Sequence, residues 1–184
     1  MLGSCSVATQ NSATALPPQL TLPPTTATTT TLVTPGTHQL KVYFLKGGRL
    51  FAVQRPYSTD PLVAALTALE GGPTPKEIDD EGITTAFSES PADITSAGTR
   101  DGGKIALVEI DVAFITLPGE AFEEASAQIV FTITGLAGGP TSVEFFLNTT
   151  RIQALIPPGS LVTRPVTRND YCLLAPANTA CSLS

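Results

Sequence analysis

Apolar and polar residues alternate along the first part of the chain that carries charges. In HQLKVYFLKGGRLFAVQRPY, the apolar residues Leu40, Val42 and Phe44 alternate with Lys41 and Tyr43. A period of two is typical of a β-strand, and a pair of glycines between two such runs is typical of a tight turn. The pattern therefore predicts two short strands joined as a hairpin.

A helical pattern follows this hairpin. Asp60 and Pro61 are residue types favoured at the N-cap and at the first position of a helix. Apolar residues then recur at intervals of three and four, at Leu62, Ala65, Leu66 and Leu69. The sequence GGP comes next, and it predicts the end of the helix because glycine favours the C-terminal cap and proline cannot continue a helix.

The rest of the chain predicts further strands and one longer helix. PKEIDDEGITTAF has the character of a polar turn leading into an extended piece, and a hairpin with its turn at Asp101-Gly102 follows it. The apolar residues of the second strand of that hairpin are Ile105, Leu107 and Val108. A last hairpin turns at residues 148–150.

The longer helix is predicted from Pro118 to a glycine-rich end that begins at Gly135. The residues of its apolar stripe are Phe122, Ala125, Ile129 and Ile133. The predicted order of elements is β-β-α-β-β-β-α-β-β. This order describes one small α+β domain over residues 38–171, in which two helices pack on a mixed or antiparallel sheet.

The segments on either side of this domain have a different composition. No Lys, Arg, Asp or Glu occurs before Lys41, and threonine and proline dominate residues 6–37. Such a segment has no apolar face to bury, so we expect a disordered tether there. A buried extended arm is the alternative. Residues 172–184 are expected to form a C-terminal tail.

Composition and charge exclude some classes of function. The chain has 184 residues and a net charge of −6, with 42% hydrophobic residues. Nucleic-acid binding depends on clustered Lys and Arg, so an acidic domain argues against it. The chain has no apolar run close to the roughly 20 residues that a membrane-spanning helix needs.

The first residues of the chain predict a lipid anchor. Leu2-Gly3-Ser4-Cys5 has the pattern of a bacterial lipobox, in which two small residues precede the cysteine that receives a diacylglyceryl group. We therefore expect residues 1–5 to be the remnant of a lipoprotein signal, Cys5 to be lipidated, and the domain to lie outside the cytoplasm on the cell membrane. The charged and apolar regions of a signal peptide are missing before Cys5, so we expect a start placed too late or a trimmed signal. An incidental cysteine is the alternative.

The remaining two cysteines are candidates for a disulfide bond. Lipidation of Cys5 leaves Cys172 and Cys181, which flank the short segment LLAPANTA. Such a pair can oxidise and stay oxidised outside the cytoplasm. Two free thiols in a frayed tail are the alternative.

The sequence contains few of the residue patterns that are typical of catalytic or metal-binding sites. His38 is the single histidine, which excludes a site with several histidine ligands, and no Gly-x-Ser-x-Gly or phosphate-binding glycine motif occurs. The sequence therefore predicts neither a catalytic residue nor a metal or other cofactor. The alternative is an envelope hydrolase or small-ligand sensor that uses acidic residues such as Asp79, Asp80 and Glu109. That alternative requires two carboxylates to converge in a cleft.

Five short motifs occur in a familiar order. They are VYFLKGGRLFAVQRP, LTALEGGPT, AQIVFTIT, VEFFLN and TRND. In this order the chain resembles the GerMN domain, which is known from sporulation and spore-germination proteins and from actinobacterial envelope lipoproteins. The likeness covers residues 40–171.

This resemblance implies a small domain of α-helices and β-strands, an extracytoplasmic location and no established catalysis. The function expected from it is that of a non-catalytic scaffold, anchored to the membrane, whose helices and sheet edge bind an unidentified envelope protein. Gln128 and Asp170 match family positions, and we interpret both as structural. Gln128 is expected to bind backbone from a helix face, and Asp170 to act as a cap or to pair with Arg164 or Arg168.

Overall fold

The computed structural model describes residues 38–87, 94–177 and 179–180. These residues form an α+β fold, as the sequence predicts. None of its described helices has both the length and the apolar character needed to cross a bilayer. In chain order the elements are β1 (His38–Lys46), β2 (Arg49–Tyr57), α1 (Pro61–Glu70), α2 (Pro75–Glu81), β3 (Ile94–Arg100), β4 (Ile105–Ile110), α3 (Val112–Ile115), α4 (Gly119–Ile133), β5 (Ser142–Leu147), β6 (Thr150–Arg151), β7 (Ala154–Ile156), β8 (Ser160–Val162) and a C-terminal 3₁₀ helix (Arg168–Leu174).

The first hairpin confirms the alternating pattern. β1 and β2 are antiparallel, and Lys46 pairs with Arg49 across a two-residue turn. Gly47 and Gly48 have φ values of 59° and 73°, so both lie in the left-handed region that the turn requires and that glycine adopts without strain.

The two helices after this hairpin differ in how well the sequence predicts them. α1 is confirmed, and the Asp60 carboxylate accepts hydrogen bonds from the N–H groups of its first turn. The prediction for the next segment was wrong, because a polar turn was expected where the structure has the helix α2. Thr74 and Glu77 form a reciprocal capping box around its start, and Gly82 ends it with a φ of 64°. The spacing Thr-x-x-Glu followed by glycine is a local helix signal that our interpretation overlooked.

The extended piece that follows α2 contributes only a short contact. Thr84 exchanges backbone hydrogen bonds of 2.8 Å and 2.9 Å with Leu45. This bridge lies on the side of β1 that faces away from β2, and the expected full strand does not form in the described residues.

The largest sheet has four strands in the order β3-β4-β5-β6. Both predicted hairpins are present in it, and β4 and β5 join them by parallel pairing. On β4 the buried residues are Ala106, Val108 and Ile110, whereas Ile105 and Leu107 are half-buried on the opposite face. The predicted strand is confirmed, and because it alternates, only Val108 of the three predicted apolar residues is on the face that meets the core.

α4 is the central helix of the fold. Every residue from Ala125 to Ile133 is buried, and all four residues of the predicted stripe, Phe122 included, lie within the core. α4 contacts β1, α1, β5, β7 and the C-terminal 3₁₀ helix. Because α4 is packed on so many sides, its buried region is wider than one stripe and includes the polar residues Ser126, Gln128 and Thr132.

The C-terminal part of the chain also packs on the core. Val166 pairs with Val143 of β5 through two backbone hydrogen bonds of 2.8 Å. Tyr171 is fully buried, and its hydroxyl donates to the carbonyl of Leu155 at 3.0 Å. Ala175 is 3% exposed, so packing on the core continues into residues 172–184, the predicted C-terminal tail.

Candidate functional site

Gln128 binds backbone from within the core. Its side-chain amide donates to the carbonyl of Tyr43 at 3.1 Å and accepts from the N–H of Ala86 at 2.8 Å. One turn later on α4, the hydroxyl of Thr132 accepts from the N–H of Tyr43 at 3.0 Å. The expected structural role of Gln128 is confirmed, since both side chains complete hydrogen bonds along the edge of β1 that faces away from β2.

Asp170 both caps and pairs. Its carboxylate accepts from the N–H of Thr167 at 2.7 Å and binds the guanidinium of Arg164 through two hydrogen bonds. Burial raises the pKa of Asp170, but the hydrogen bonds from Arg164 and Thr167 outweigh it and hold the pKa below its ordinary value. Of the two arginines that the sequence offered, the partner is Arg164.

Arg168 contacts the C-terminal end of α4. Its guanidinium donates to the carbonyl of Phe131 at 2.7 Å and to the hydroxyl of Thr134 at 2.8 Å, at the end of α4. It also lies over the ring of Tyr43, 5.5 Å from the ring centre. A Cβ atom at Gly135 would lie 2.6 Å from this guanidinium, so the glycine makes room for it. Arg168 therefore joins the C-terminal 3₁₀ helix to α4 and β1.

The carboxylates of the alternative enzyme hypothesis do not converge. Glu109 lines an open cavity of about 370 Å³ on the four-stranded sheet. Its carboxylate accepts from the Ser96 hydroxyl at 2.8 Å and from the Thr149 N–H at 3.0 Å. Asp79 and Asp80 are exposed on α2, and neither lines this cavity. The arrangement fastens the β5–β6 turn to β4 and supplies no second carboxylate for acid–base chemistry.

A buried carboxylate that no local sequence signal marks lies on the same sheet. Glu144 is only 3% exposed. Arg100 donates to both of its oxygens, at 3.1 Å and 2.7 Å, and Arg151 approaches it at 2.8 Å. Arg100, Glu144 and Arg151 come from three different strands, so the cluster ties β3, β5 and β6 together. Only strand register brings these residues into contact, and no short motif marks them.

Within the described ranges, no group of three or more His, Cys, Asp or Glu side chains is placed to hold a metal ion. His38 is exposed at the start of β1, with its ring 5.4 Å from that of Tyr57.

The predicted lipid and disulfide sites extend beyond the described residues. Cys172 lies half-buried on the C-terminal 3₁₀ helix and is disulfide-bonded. The other two cysteines, Cys5 and Cys181, lie outside the described residues, as do the lipobox and the tether over residues 6–37. Lipidation of Cys5 and the pairing of Cys172 with Cys181 therefore stay predictions.

Residues 41–153 match the family described as "Germane: Sporulation and spore germination". The chain belongs to this family. Four of the five motifs singled out in the sequence fall within the matched residues, and TRND, which contains the cap made by Asp170, follows them. No curated protein matches the chain.

Two solved structures of the sporulation protein GerM from Bacillus subtilis share this fold. The first GerMN domain has a TM-score of 0.55 and 22% sequence identity, and the likeness covers 72% of this chain and 99% of that domain. For the tandem GerMN domains the TM-score is 0.52 and the identity 22%, over 74% of this chain and 46% of that one. The chain thus spans about half the length of the tandem structure, and the GerMN-like fold expected from the sequence is confirmed.

Proposed function

We propose that this member of the Germane family is a non-catalytic lipoprotein, anchored outside the cytoplasm through Cys5, whose GerMN-like domain binds a protein partner in the cell envelope. The family is described by sporulation and spore germination. The lipobox supports the anchor, and the Thr- and Pro-rich segment supports a domain held away from the membrane.

The observation that supports the proposal most directly concerns the two polar residues that match family positions, Gln128 and Asp170. Both form hydrogen bonds within the domain. Gln128 is fully buried, and its side-chain amide forms hydrogen bonds with backbone groups of Tyr43 and Ala86. The carboxylate of Asp170 accepts hydrogen bonds from Arg164 and Thr167. A catalytic side chain must instead reach a substrate in a cleft. These positions therefore maintain a rigid scaffold, which is what a binding module requires.

The tether sets how far the domain can reach. Roughly 30 residues in extended form, at about 3 Å each, place the domain up to some 90 Å from the anchored cysteine, and a coiled tether shortens this distance. Such a reach suits a partner that is itself held in the envelope, because tethering raises the local concentration of the domain near it.

The anchor is tested by substitution of Cys5. In cells that express the full precursor, Cys5→Ala should move the protein from the membrane fraction to the soluble extracytoplasmic fraction. Cys181→Ala is the matched control and should stay with the membrane. Unchanged membrane association of the Cys5→Ala protein would show that the anchor is wrong.

The non-catalytic part is tested with Glu109, the one carboxylate among the described residues that lines the sheet cavity. In cells that lack the wild-type protein, Glu109→Gln should restore the wild-type phenotype fully when the variant accumulates to the same level. Loss of the phenotype at normal protein level would favour the hydrolase or ligand-sensor alternative.

A further inference from the structure

One edge of the four-stranded sheet has backbone groups without partners. Within the described residues β3 pairs with β4 alone, because it stands first in the strand order. Residues 96–99 of β3, which we call the open edge, pair regularly with β4, and in the described ranges no backbone hydrogen bond joins them to any other element. Every second residue of an edge strand turns its N–H and its C=O away from the sheet, so the open edge presents unpaired donors and acceptors.

The edges of β1, β2 and β6 differ, because each has a feature that opposes pairing with another strand. Gln128 and Thr132 bind the side of β1 that faces away from β2. β2 contains two arginines and Pro56, which has no N–H to donate. β6 has two residues and offers little length for pairing. The open edge of β3 contains neither proline nor a charged residue.

The start of β3 is protected, and this protection stops at the open edge. The N–H of Ile94 donates to the Glu70 carboxylate of α1 at 3.1 Å. An irregularity in the pairing with β4 follows between Ile94 and Ser96, and such a bulge bends a strand away from a neighbour. Beyond Ser96 the pairing is regular again, so residues 96–99 can accept a further strand.

The helix α1 forms the second wall of a cleft along this edge. A cavity of about 230 Å³ lies between α1 and residues 94–97 of β3. A second cavity, of about 390 Å³, follows along residues 97–99 and reaches residues 136–140. Val63 of α1 and Ala97 of β3 border both cavities, so the two form one cleft that runs along the strand. Val63 is 54% exposed and is open to contact from a bound segment.

The backbone of the open edge matches the backbone of another extended chain. An extended segment that adds a strand to a sheet edge satisfies the unpaired N–H and C=O groups on both sides. Gly98 lies in the middle of the open edge, and a Cβ atom placed on it would meet nothing within 4 Å. A second backbone can therefore approach closely at this point.

The side chains around the cleft favour an apolar, uncharged segment. Val63 and Leu66 line the first cavity, and Leu136 lines the second. Each cavity has one carboxylate at its wall, Glu70 or Asp60, and both carboxylates already accept backbone N–H groups. No Lys or Arg among the described residues lines either cavity, so Asp and Glu on a bound segment are disfavoured.

We propose that the open edge binds an extended segment of a protein partner as an added β-strand, with apolar side chains of that segment in the two cavities beside α1. Side chains of a strand alternate between its faces, so neighbouring cavities receive every second side chain. This inference rests on the proposed function, because it names the surface and the chemistry through which the domain binds its partner.

The test begins with a displayed library of random seven-residue peptides, selected against the full chain. We expect enriched peptides with apolar residues at alternate positions and without Asp or Glu there. Addition of a synthetic copy should slow hydrogen exchange of the amides in residues 96–99 that point away from β4. Two further copies carry N-methyl groups on the odd or on the even backbone nitrogens. One of them should bind roughly tenfold more weakly, and the other should bind nearly as well, because only alternate N–H groups of an added strand face β3.

The side-chain part of the proposal is tested with Val63→Ser, which should weaken peptide binding by roughly fivefold. Ile78→Ser is the matched control, because it also removes an exposed β-branched side chain from a helix. Ile78 is 48% exposed on α2 and lines neither cavity. Its substitution should leave peptide binding unchanged, and circular dichroism checks that both variants are folded.

The opposite results overturn the proposal. Equal binding of the two methylated peptides would show that the segment is not held as a strand, and equal weakening by both serine variants would place it outside the cleft. If Val63→Ser instead dissociates an oligomer of the chain in sedimentation velocity, the edge is a contact between copies. A peptide that binds without slowing exchange in β3 overturns this inference and leaves the proposed binding function standing. A library that yields no binding peptide overturns it as well, whereas Cys5→Ala fractionation tests the anchor independently.

Discussion

At the scale of single residues, the most unusual backbone lies in the β5–β6 turn. Asn148 and Thr149 both have positive φ values, of 49° and 63°. A two-residue hairpin turn requires this conformation, and asparagine tolerates it, but a β-branched threonine does so only under strain. The Glu109 carboxylate accepts the Thr149 N–H, which holds the strained residue in place.

Thr149→Gly should therefore stabilise the fold. The change produces Asn-Gly, the favoured pair for such a turn, and relief of the strain should raise the free energy of unfolding by about 0.5–1 kcal/mol. Urea denaturation measures this value. Thr150→Gly in β6 is the control and should destabilise, because residue 150 is extended. A loss of stability in Thr149→Gly would mean that threonine makes contacts there that outweigh its strain.

Glu77 links stability to pH. The hydrogen bonds from Arg55, at 2.7 Å and 2.6 Å, lower the pKa of Glu77 from 4.5 to about 2. Because the folded pKa lies below the ordinary value, this pair stabilises the fold above about pH 4.5, and the contribution is lost as the pH falls toward 2.

Glu77→Gln should consequently lower the free energy of unfolding at pH 7 by about 1–2 kcal/mol, after allowance for solvent screening, and flatten the decline between pH 4.5 and 2. Glutamine can keep the capping-box hydrogen bond to Thr74, so the difference reports on the ion pair. The control is Glu81→Gln, whose exposed pair with Lys46 spans 3.8 Å and should contribute little. Equal pH profiles for wild type and Glu77→Gln would contradict the assignment.

At the scale of elements, α4 does more than fill the core. Tyr43 and Leu45 turn their backbone groups away from β2, which would leave part of β1 as an open sheet edge. Gln128 and Thr132 of α4 bind the groups of Tyr43, and Thr84 binds those of Leu45. Side chains of a helix thus take the place of a third strand, which protects the edge from pairing with another chain.

Gln128→Leu should be strongly destabilising for this reason. Leucine has a similar size, but it leaves the Tyr43 carbonyl and the Ala86 N–H without their partner in the core. The expected loss in thermal or chemical denaturation is about 2–4 kcal/mol. Gln54→Leu changes an exposed glutamine of β2 and should cost less than about 0.5 kcal/mol. A similarly small cost for Gln128→Leu would show that water or neighbouring groups replace the amide.

At the scale of the whole molecule, the C-terminal segment closes the fold. Val166 extends the four-stranded sheet beside Val143, Tyr171 fills the space next to α4, and the carbonyl of Ala175 accepts from Arg49 at 3.5 Å. These contacts join the last described part of the chain to its first hairpin. Cys172 lies within this segment and is disulfide-bonded.

We expect the partner of Cys172 to be Cys181. Mass spectrometry of the non-reduced protein should find a peptide pair about 2 Da lighter than the two free peptides, linking these residues. Closing so short a loop should contribute roughly 2–3 kcal/mol by restricting the unfolded chain, so Cys181→Ser should lower the melting temperature measurably. Alkylation of both thiols without reduction would contradict the bond, and linkage of Cys172 to Cys5 would contradict lipidation of Cys5.

The sequence by itself determined the elements whose signals are local. The alternation around Val42, the Asp60-Pro61 start of α1 and the stripe that contains Ile129 each arise within a few residues, so they could be predicted. α2 belongs to the same class, because its Thr74–Glu77 capping box is visible in the sequence. The GerMN resemblance was also available there, since it is carried by short motifs in order.

Only the tertiary structure decided which of these elements meet. The parallel pairing of β4 with β5, the Arg100–Glu144–Arg151 cluster and the packing of Tyr171 on α4 all join residues that are distant along the chain. A surface cavity lined by Phe122, Leu155 and Leu161 arises in the same way. No local period specifies such contacts, because they depend on how amphipathic faces bury one another and on the strand register that results.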